Sequence, residues 1–242
     1  MTGPVAYDEV AHKYARHRVA QSYAIEALAQ IRARAPRAAL LEVGCGTGEY
    51  VEALRADSAS PAFGMDASRG MLEQAPTHGG VAYLQGNAAR LPFADRSLGM
   101  IFSINVIHHV TDVRAYMRET YRALASGGII CTATDSEAII RRRKPLSRYW
   151  PATVAAELER YHPIDTLRDE MTAAGFRRLE AIESSAKFVV DDVTPYRDKA
   201  FSCLGLIAEK EFRDGLDAIE SDLRNGPLTG VSELLFLWGV RA

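Results

Sequence analysis

The stretch Leu40-Leu41-Glu42-Val43-Gly44-Cys45-Gly46-Thr47-Gly48-Glu49-Tyr50 decides how this chain folds. The apolar run over residues 38–43 predicts a buried strand, and three glycines spaced by one residue predict a tight turn. Glycine suits such a turn because it adopts positive φ and lets a ligand approach the backbone closely. Tyr50, Val51 and Leu54 then recur at helical spacing, so the stretch predicts a strand, a turn and a helix.

The glycine turn offers backbone N–H groups and a helix start to a ligand, and the sequence narrows what that ligand is. A dinucleotide fingerprint, G-x-G-x-x-G, needs a third glycine at position 49, where the Glu49 carboxylate is poorly suited to a pyrophosphate. A phosphate-binding P-loop needs a lysine after its last glycine, and Gly48 is not followed by one. Glu42 could instead accept a hydrogen bond from an ammonium group. The alternative is a glycine turn in an unrelated α/β protein.

Glu42 with Gly44-x-Gly46-x-Gly48 resembles the first motif of class I S-adenosylmethionine-dependent methyltransferases, in particular their UbiE-like (type 11) group. The resemblance implies S-adenosylmethionine as cofactor, with Glu42 near its amino end and the loop containing Cys45 beside it. It also implies an α/β fold with a Rossmann-like, doubly wound, seven-stranded and mostly parallel sheet. In that fold the last strand is antiparallel, and a helical cap or insertion is added.

A second acid, Asp66, ends a short strand predicted over residues 61–66. In nucleotide-binding α/β folds an acid roughly 20 residues past the glycine turn accepts hydrogen bonds from ribose hydroxyls. The sequence around Asp66 and Ala67 resembles the second methyltransferase motif, which implies the same role. The alternative is an N-cap for the helix that begins at Arg69. Met71 is expected either beside the adenine or in the ordinary core.

Asn87 and Ala88 follow the third predicted strand, at residues 81–85. Similar methyltransferases usually carry Asp at the position of Asn87, where it accepts from the adenine amino group. The Asn87 amide oxygen can still accept that bond, although without charge assistance. The Ala88 backbone N–H is a further candidate contact to the ring. The alternative for Asn87 is a turn residue.

Residues 98–104 form a nearly continuous apolar run, which predicts a strand buried on both faces. Asn105 and Val106 follow at its carboxyl end, where ligands bind in open α/β sheets, and we assign both to the cofactor site. His108 and His109 resemble a His-His signature of the family. Either imidazole could contact the acceptor or act as a general base, because histidine titrates near neutrality. Alternatively, they cap the following helix.

The first residues, 7–31, are predicted to be helical, since Tyr7, Val10, Tyr14 and Arg18 share one face. This segment resembles one that closes over the cofactor in many small-molecule methyltransferases, with Tyr14 and Arg18 near the cofactor carboxylate. An arginine can clamp a carboxylate through two hydrogen bonds. The alternative is an amphipathic helix with a surface arginine.

The remainder of the chain predicts a further helix and three strands. The helix at residues 113–125 is expected to be capped by Gly127 and Gly128, and strands are expected at residues 129–135, 177–190 and 234–240. Residues 139–162 and 194–224 are expected to be helical elements that cover the substrate. The basic cluster at residues 141–144 could contact an anionic or aromatic substrate, or form a solvated helix face.

Composition limits the remaining possibilities. The 242 residues are expected to form a single methyltransferase domain, 1–242, with residues 1–32 as a helical lid. A net charge of −2 gives no argument for nucleic acid or an anionic membrane. Three widely spaced cysteines support neither disulfides nor a metal site. With no signal peptide or membrane-spanning run, a cytoplasmic protein is expected, and its oligomeric state stays open.

Together these features predict methyl transfer from S-adenosylmethionine to an O, N or C atom of a small molecule, such as a secondary metabolite. One alternative is a nucleotide-cofactor oxidoreductase on a similar fold, against which Glu49 argues. Another is a non-enzymatic protein that binds S-adenosylmethionine. Asn87 and Gly99, both of which replace an aspartate usual in the family, leave that alternative open.

Overall fold

A single sheet of seven strands organises the computed structural model, which describes residues 20–55, 60–76 and 79–242. The strand order is β3-β2-β1-β4-β5-β7-β6, in which β1 to β5 are parallel to one another and β7 is antiparallel to both β5 and β6. This confirms the doubly wound sheet with an antiparallel last strand. The strands are β1 (Ala39–Val43), β2 (Ala62–Asp66), β3 (Val81–Gln85), β4 (Leu98–Ile104), β5 (Leu124–Thr134), β6 (Phe176–Val190) and β7 (Leu228–Arg241).

Helices alternate with the strands along the described part of the chain. Short 3₁₀ turns occur at Ile107–His109 and Ser202–Gly205. The α-helices are α1 (Ser22–Arg32), α2 (Glu49–Arg55), α3 (Arg69–Leu72), α4 (Val113–Ala123), α5 (Glu137–Arg142), α6 (Leu146–Tyr149), α7 (Ala152–Arg160), α8 (Ile164–Ala174), α9 (Thr194–Arg197) and α10 (Glu209–Leu223).

Alternate side chains of the central strands build two apolar layers, one on each face of the sheet. Leu40 and Phe102 pack with buried residues of α1 and α2, whereas Leu41 and Ile101 pack with buried residues of α4 and α8. All seven residues of β4 are buried, as the apolar run predicts. Because both faces are covered, the sheet can expose function only at its edges and at its strand ends.

A third apolar cluster lies outside the two sheet layers and forms what we call the cap, residues 137–160 and 194–223. Its centre is Trp150, which packs with Tyr196 and Phe212 and donates a hydrogen bond of 2.9 Å from its indole Nε1 to the Phe212 carbonyl. A side chain at Gly215 would meet the Trp150 ring at 2.3 Å, so α10 can pack this closely only at a glycine. The cap therefore has a core of its own.

Two predicted elements are wrong in detail. Helix α4 ends at Ala123, and β5 begins at once with Leu124, so Gly127 and Gly128 lie in a strand and do not cap the helix. The pairing of β4 with β5 shifts register there, and Gly127 adopts a φ of +74°, which glycine tolerates. The helix predicted over residues 194–223 is broken into α9, a 3₁₀ turn and α10.

Gly99 has a packing reason within β4. A Cβ atom at this position would lie 2.5 Å from the Pro36 carbonyl oxygen and 3.2 Å from the Ala38 side chain. The segment that leads into β1 therefore passes where a side chain would stand. Any side chain at position 99, such as the aspartate usual in similar methyltransferases, would push these two backbone segments apart.

Candidate active site

The turn between β1 and α2 has the conformation that its glycines predict. Gly44, Gly46 and Gly48 adopt φ values of +71°, +55° and +89°. A Cβ atom would lie 2.3 Å from Val106 at Gly44 and 2.2 Å from the Tyr83 hydroxyl at Gly48, but would meet nothing within 4 Å at Gly46. Two of these glycines thus permit close packing of protein groups, and the third borders open space.

Asp66 holds the glycine turn through its carboxylate. Its Oδ2 accepts a hydrogen bond from the Gly46 backbone N–H at 2.8 Å, and its Oδ1 accepts one from the Ser68 N–H, also at 2.8 Å. Ser68, not Asp66, caps α3, because its hydroxyl accepts from the Met71 N–H at 3.1 Å. The alternative role of Asp66 as the helix N-cap is therefore excluded.

Glu42 lies almost fully buried at the floor of the turn, with 2% of its surface exposed. Its Oε2 accepts a hydrogen bond of 2.9 Å from the Val51 backbone N–H in the first turn of α2. The carboxylate thereby satisfies one of the N–H groups that a helix start leaves unpaired. It also borders a cavity of about 30 Å³, here called the turn cavity, together with Gly44, Gly46, Glu49, Tyr50 and Ile104.

Asn105 and Val106 follow β4 directly beside the turn. Val106 packs over Gly44, and the Asn105 N–H donates to the Ala133 carbonyl oxygen of β5 at 2.8 Å. Asn105 adopts a φ of +54°, which is uncommon for a residue with a side chain. Its Oδ1 is buried and has no hydrogen-bond partner among the described residues. An acceptor of this kind suits a ligand that brings a donor.

The other predicted cofactor residues lie at the ends of β2 and β3. The Ala67 carbonyl oxygen accepts a hydrogen bond from the Gln85 side-chain amide at 2.9 Å, and the Met71 side chain is buried. The Asn87 Oδ1 accepts from the Ala89 N–H at 2.8 Å and so closes its own turn, with Ala88 half-buried beside it. Tyr14 and Arg18 lie outside the described residues.

A second and much larger cavity, about 740 Å³, lies between the sheet and the cap, and we call it the cap cavity. Asn105, His108, His109 and Asp135 line it next to the carboxyl ends of β4 and β5, and aromatic residues of several elements line the rest. Tyr50 lines both the turn cavity and the cap cavity, so the two are neighbours. The aromatic side chains include Tyr23, Tyr161, Phe188, Tyr196 and Phe201.

The two predicted histidines both reach the cap cavity. The His108 ring stacks on Tyr161 with their centroids 4.0 Å apart and lies 4.1 Å from the His109 ring. The His109 side chain faces the cavity, where desolvation and the nearby Arg160 charge lower its pKa to about 4. The His109 imidazole is therefore neutral at pH 7, and its lowered pKa makes it a weaker base than a histidine that titrates near neutrality.

A chain of alternating charges in the wall of the cap cavity was not predicted. The Arg143 Nη1 donates to Asp135 Oδ2 and to Glu157 Oε2, each at 3.0 Å, and the Arg160 Nη2 donates to Glu157 Oε1 at 2.5 Å. Burial raises the pKa of Asp135 to about 6, against the opposing effect of Arg143. Arg143 belongs to the basic cluster that the sequence suggests could be a solvated face.

A signal for Arg143 does exist in the sequence. It stands four residues after Ile139 and three after Ile140, both of which are fully buried, so it continues the inner face of α5. Arg142 points the other way and pairs with Glu233 and Glu183 at the surface. Helical spacing, applied to the basic cluster, separates the inner arginine from the outer one.

The residues of the turn cavity fit a cationic ligand better than a phosphorylated one. Among the described residues that line it, Glu42 and Glu49 are acidic and none is Lys, Arg or His. A sulfonium and an ammonium group both suit this field, whereas a pyrophosphate would find no basic partner. The open space at Gly46 and the unpaired Asn105 oxygen complete a site that fits S-adenosylmethionine.

Other site chemistries have less support. Cys45, Cys131 and Cys203 are free and buried, and the part of the chain described here holds no group of three His, Cys, Asp or Glu side chains placed to bind a metal ion. Within the same part, no helix is both long and apolar enough to cross a bilayer.

Comparisons with known proteins agree with this geometry. Residues 41–132 match the family model of the methyltransferase domain. A malonyl-[acyl-carrier protein] O-methyltransferase of Erwinia billingiae is 29% identical over 164 residues, which are 67% of this chain and 64% of that protein. The match therefore covers slightly less than two thirds of this relative.

Two further proteins extend the similarity along the chain. A Mycolicibacterium smegmatis protein named as a probable S-adenosylmethionine-dependent methyltransferase is 26% identical over 211 residues, covering 76% of this chain and 81% of that protein. A crystal structure from Anabaena variabilis, described as a methyltransferase of an antibiotic biosynthesis pathway, superposes with a TM-score of 0.74. It is 21% identical and covers 92% of this chain and 98% of that chain, which supports the fold. The sheet order, the glycine turn and the match of residues 41–132 to the methyltransferase domain together support a class I S-adenosylmethionine-dependent methyltransferase.

Proposed function

We propose that this protein transfers the methyl group of S-adenosylmethionine to an O, N or C atom of a small molecule held in the cap cavity. The observation that carries the proposal is the pair of neighbouring cavities that share Tyr50. One is small, acidic and built on the glycine turn, and the other measures about 740 Å³ and is lined by aromatic residues. A cavity of that size falls in the range of small-molecule sites.

The turn cavity is assigned to the methionine end of the cofactor. Glu42 and the Asn105 Oδ1 are the acceptors for its ammonium group, and the Gly44 to Gly48 backbone, with Cys45 and Val106, forms the surface beneath it. Asp66 is assigned to the ribose hydroxyls, because a carboxylate oxygen can accept more than one hydrogen bond. Tyr14 and Arg18 are assigned to the cofactor carboxylate from sequence resemblance alone.

The adenine is assigned to the ends of β2 and β3. Ala67 and Met71 would border the ring, and the Ala88 N–H and Asn87 Oδ1 would meet its polar edge. The Asn87 oxygen already accepts from the Ala89 N–H, so it would have to use its second lone pair.

When bound, S-adenosylmethionine supplies an electrophilic methyl group on a sulfonium, so the protein needs no covalent intermediate. The chain must align the acceptor with that methyl group and exclude water, which the cap achieves by covering the carboxyl ends of β4 and β5. For a hydroxyl or protonated amine acceptor, His109 would take the proton, because its imidazole is neutral and faces the cavity. His108 supports the His109 ring and stacks on Tyr161.

A small acceptor is favoured by the volume of the cap cavity, about 740 Å³. A net charge of −2 offers no attraction for nucleic acid or an anionic membrane. Three free thiols suit a reducing compartment, which supports the cytoplasm as the place of action.

A screen with labelled methyl donor tests the proposal. The wild-type protein is incubated with S-adenosylmethionine carrying a labelled methyl group and with pools of small hydroxyl, amine and carboxylate compounds. We expect label to enter at least one product, and expect Asp66→Ala to reduce that transfer. A protein that binds the cofactor but labels no small molecule in a broad screen would favour the non-enzymatic alternative.

A further inference from the structure

Three guanidinium nitrogens in the wall of the cap cavity have no hydrogen-bond acceptor among the described residues. Arg143 uses only its Nη1 for Asp135 and Glu157, and its Nε and Nη2 are buried without a hydrogen-bond partner in the described structure. The Arg160 Nε is in the same position, although its Nη2 donates to Glu157 and to the Ser202 hydroxyl at 3.2 Å. Buried charged donors are costly to leave unpaired, so this surplus indicates a missing acceptor.

Three of the four carboxylate oxygens of Glu157 and Asp135 already accept a hydrogen bond from an arginine. Both oxygens of Glu157 are already taken, one by each arginine, and Asp135 Oδ2 is taken by Arg143. The two guanidinium groups therefore flank a single carboxylate and lie on one wall of the cavity. The side chains of Arg143 and Arg160 are 13% and 18% exposed, and both residues line the cavity.

This wall lies close to the cofactor side of the cavity. Asp135 follows β5 two residues after Ala133, whose carbonyl oxygen accepts from the Asn105 N–H. His109 lines the same cavity, and the Arg160 charge contributes to lowering its pKa. A group bound by the arginines would therefore anchor an acceptor whose other atoms extend among the aromatic side chains.

We infer that the acceptor carries an oxyanion, either a carboxylate or a phosphoryl group, that binds to Arg143 and Arg160 in the cap cavity. Guanidinium groups bind both kinds of oxyanion through paired, charge-assisted hydrogen bonds. The inference rests on the proposed function, because it assigns the acceptor of that same site.

Four probes of similar size and different charge test this inference without knowledge of the natural acceptor. Benzoate, phenylphosphonate, benzyl alcohol and benzylamine are titrated by ligand-observed NMR into wild-type protein saturated with S-adenosylhomocysteine. We expect benzoate or phenylphosphonate to bind at least about tenfold more tightly than benzyl alcohol. The tighter of the two oxyanions identifies the acceptor as a carboxylate or a phosphoryl compound.

Variants then locate the binding. Arg160→Gln and Arg143→Lys should each lower the affinity for the more tightly bound oxyanion probe by about tenfold, because each removes hydrogen-bond donors from the cavity wall. Arg148→Gln is the matched control, since Arg148 lies on α6 at the surface and pairs with Asp222. S-adenosylhomocysteine affinity, measured for every variant, shows that each one is folded.

The outcomes separate this inference from the proposed function. Oxyanion probes that bind no better than benzyl alcohol, including no binding of any probe, would overturn the inference. So would oxyanion binding that Arg160→Gln and Arg143→Lys leave unchanged. Failure of the wild-type protein to bind S-adenosylhomocysteine at all would instead overturn the proposed function.

Discussion

The Asp66 carboxylate and the Gly46 backbone N–H are joined by a hydrogen bond of 2.8 Å. This contact connects the end of β2 to the glycine turn after β1, two segments that are 20 residues apart. The other carboxylate oxygen holds the Ser68 N–H, so one side chain fixes the loops that follow two neighbouring strands. Because ligands of parallel sheets bind where these loops meet, Asp66 shapes the region that is assigned to the cofactor.

Replacing Asp66 with alanine should therefore have two effects. We expect the affinity for S-adenosylmethionine to fall at least about tenfold, and the free energy of unfolding to fall by about 2 kcal/mol, as two charge-assisted hydrogen bonds are lost. Titration calorimetry and urea unfolding measure the two quantities. Asp169→Ala, at an exposed position of α8, is the matched control. Unchanged cofactor affinity in Asp66→Ala would refute the ribose role.

The glycine turn allows packing and binding to be separated by two single substitutions. In Gly46→Ala the new methyl group meets no protein atom, so we expect the stability to fall only by the backbone strain of about 1–2 kcal/mol. The same methyl group would occupy the space assigned to the cofactor, so affinity for S-adenosylmethionine should fall sharply.

Gly44→Ala should instead affect folding stability more strongly than Gly46→Ala does. Its methyl group would lie 2.3 Å from Val106, and we expect overpacking and strain together to reduce the free energy of unfolding by about 3 kcal/mol. Gly205→Ala, where a side chain meets nothing and φ is not positive, is the control for both. Normal cofactor affinity in a folded Gly46→Ala protein would show that the cofactor does not lie over the turn.

The buried Asp135 predicts a specific pH dependence of stability. Its pKa rises from 3.8 to about 6 on folding, chiefly through burial, with Glu157 and Glu233 acting in the same direction and Arg143 against. The folded state therefore binds this proton more tightly than the unfolded state. The resulting stabilisation is present below about pH 4 and is lost as the pH rises through about 6.

Asp135→Asn removes this titration while other groups titrate alike in both proteins. We expect the stability of the wild-type protein, relative to the variant, to fall by on the order of 2 kcal/mol between pH 4.5 and pH 7. Urea unfolding at the two pH values measures the difference. A stability difference that is the same at both would show that Asp135 has an ordinary pKa.

His109 makes a prediction about turnover once an acceptor is known. His109→Gln should lower the rate of label transfer by about a hundredfold while leaving S-adenosylhomocysteine affinity unchanged, because a general base acts only on the acceptor. His162→Gln, which does not line the cap cavity, is the matched control. Near-normal turnover in both His109→Gln and His108→Gln would remove imidazole from the mechanism.

The features that could be predicted from the sequence are those whose residues lie close together along the chain. The glycine turn, the acid that ends β2 and the buried run of β4 each have a signature within a few residues. The structure places Gly46, Asp66 and Asn105 at the carboxyl ends of the neighbouring strands β1, β2 and β4. The antiparallel β7 followed from family resemblance, since strand order depends on pairings that no short stretch determines.

The features that the sequence missed depend on contacts between distant segments. Asp135, Arg143 and Glu157 form one network only because α5 and α7 fold back over the end of β5. Gly127 was misread because a helix cap and a strand irregularity both favour a glycine with positive φ. For Asn87, the oxygen suspected of a ligand contact turned out to accept from its own turn, as the Ala89 N–H shows.

Titration calorimetry of the wild-type protein with S-adenosylmethionine and, separately, with NAD⁺ tests most directly whether the glycine turn binds a sulfonium cofactor and not a dinucleotide. The turn cavity is acidic and has no basic lining residue among those described, so we expect S-adenosylmethionine to bind at one site and NAD⁺ to give no binding heat. Folded protein that binds NAD⁺ and ignores S-adenosylmethionine would contradict that claim.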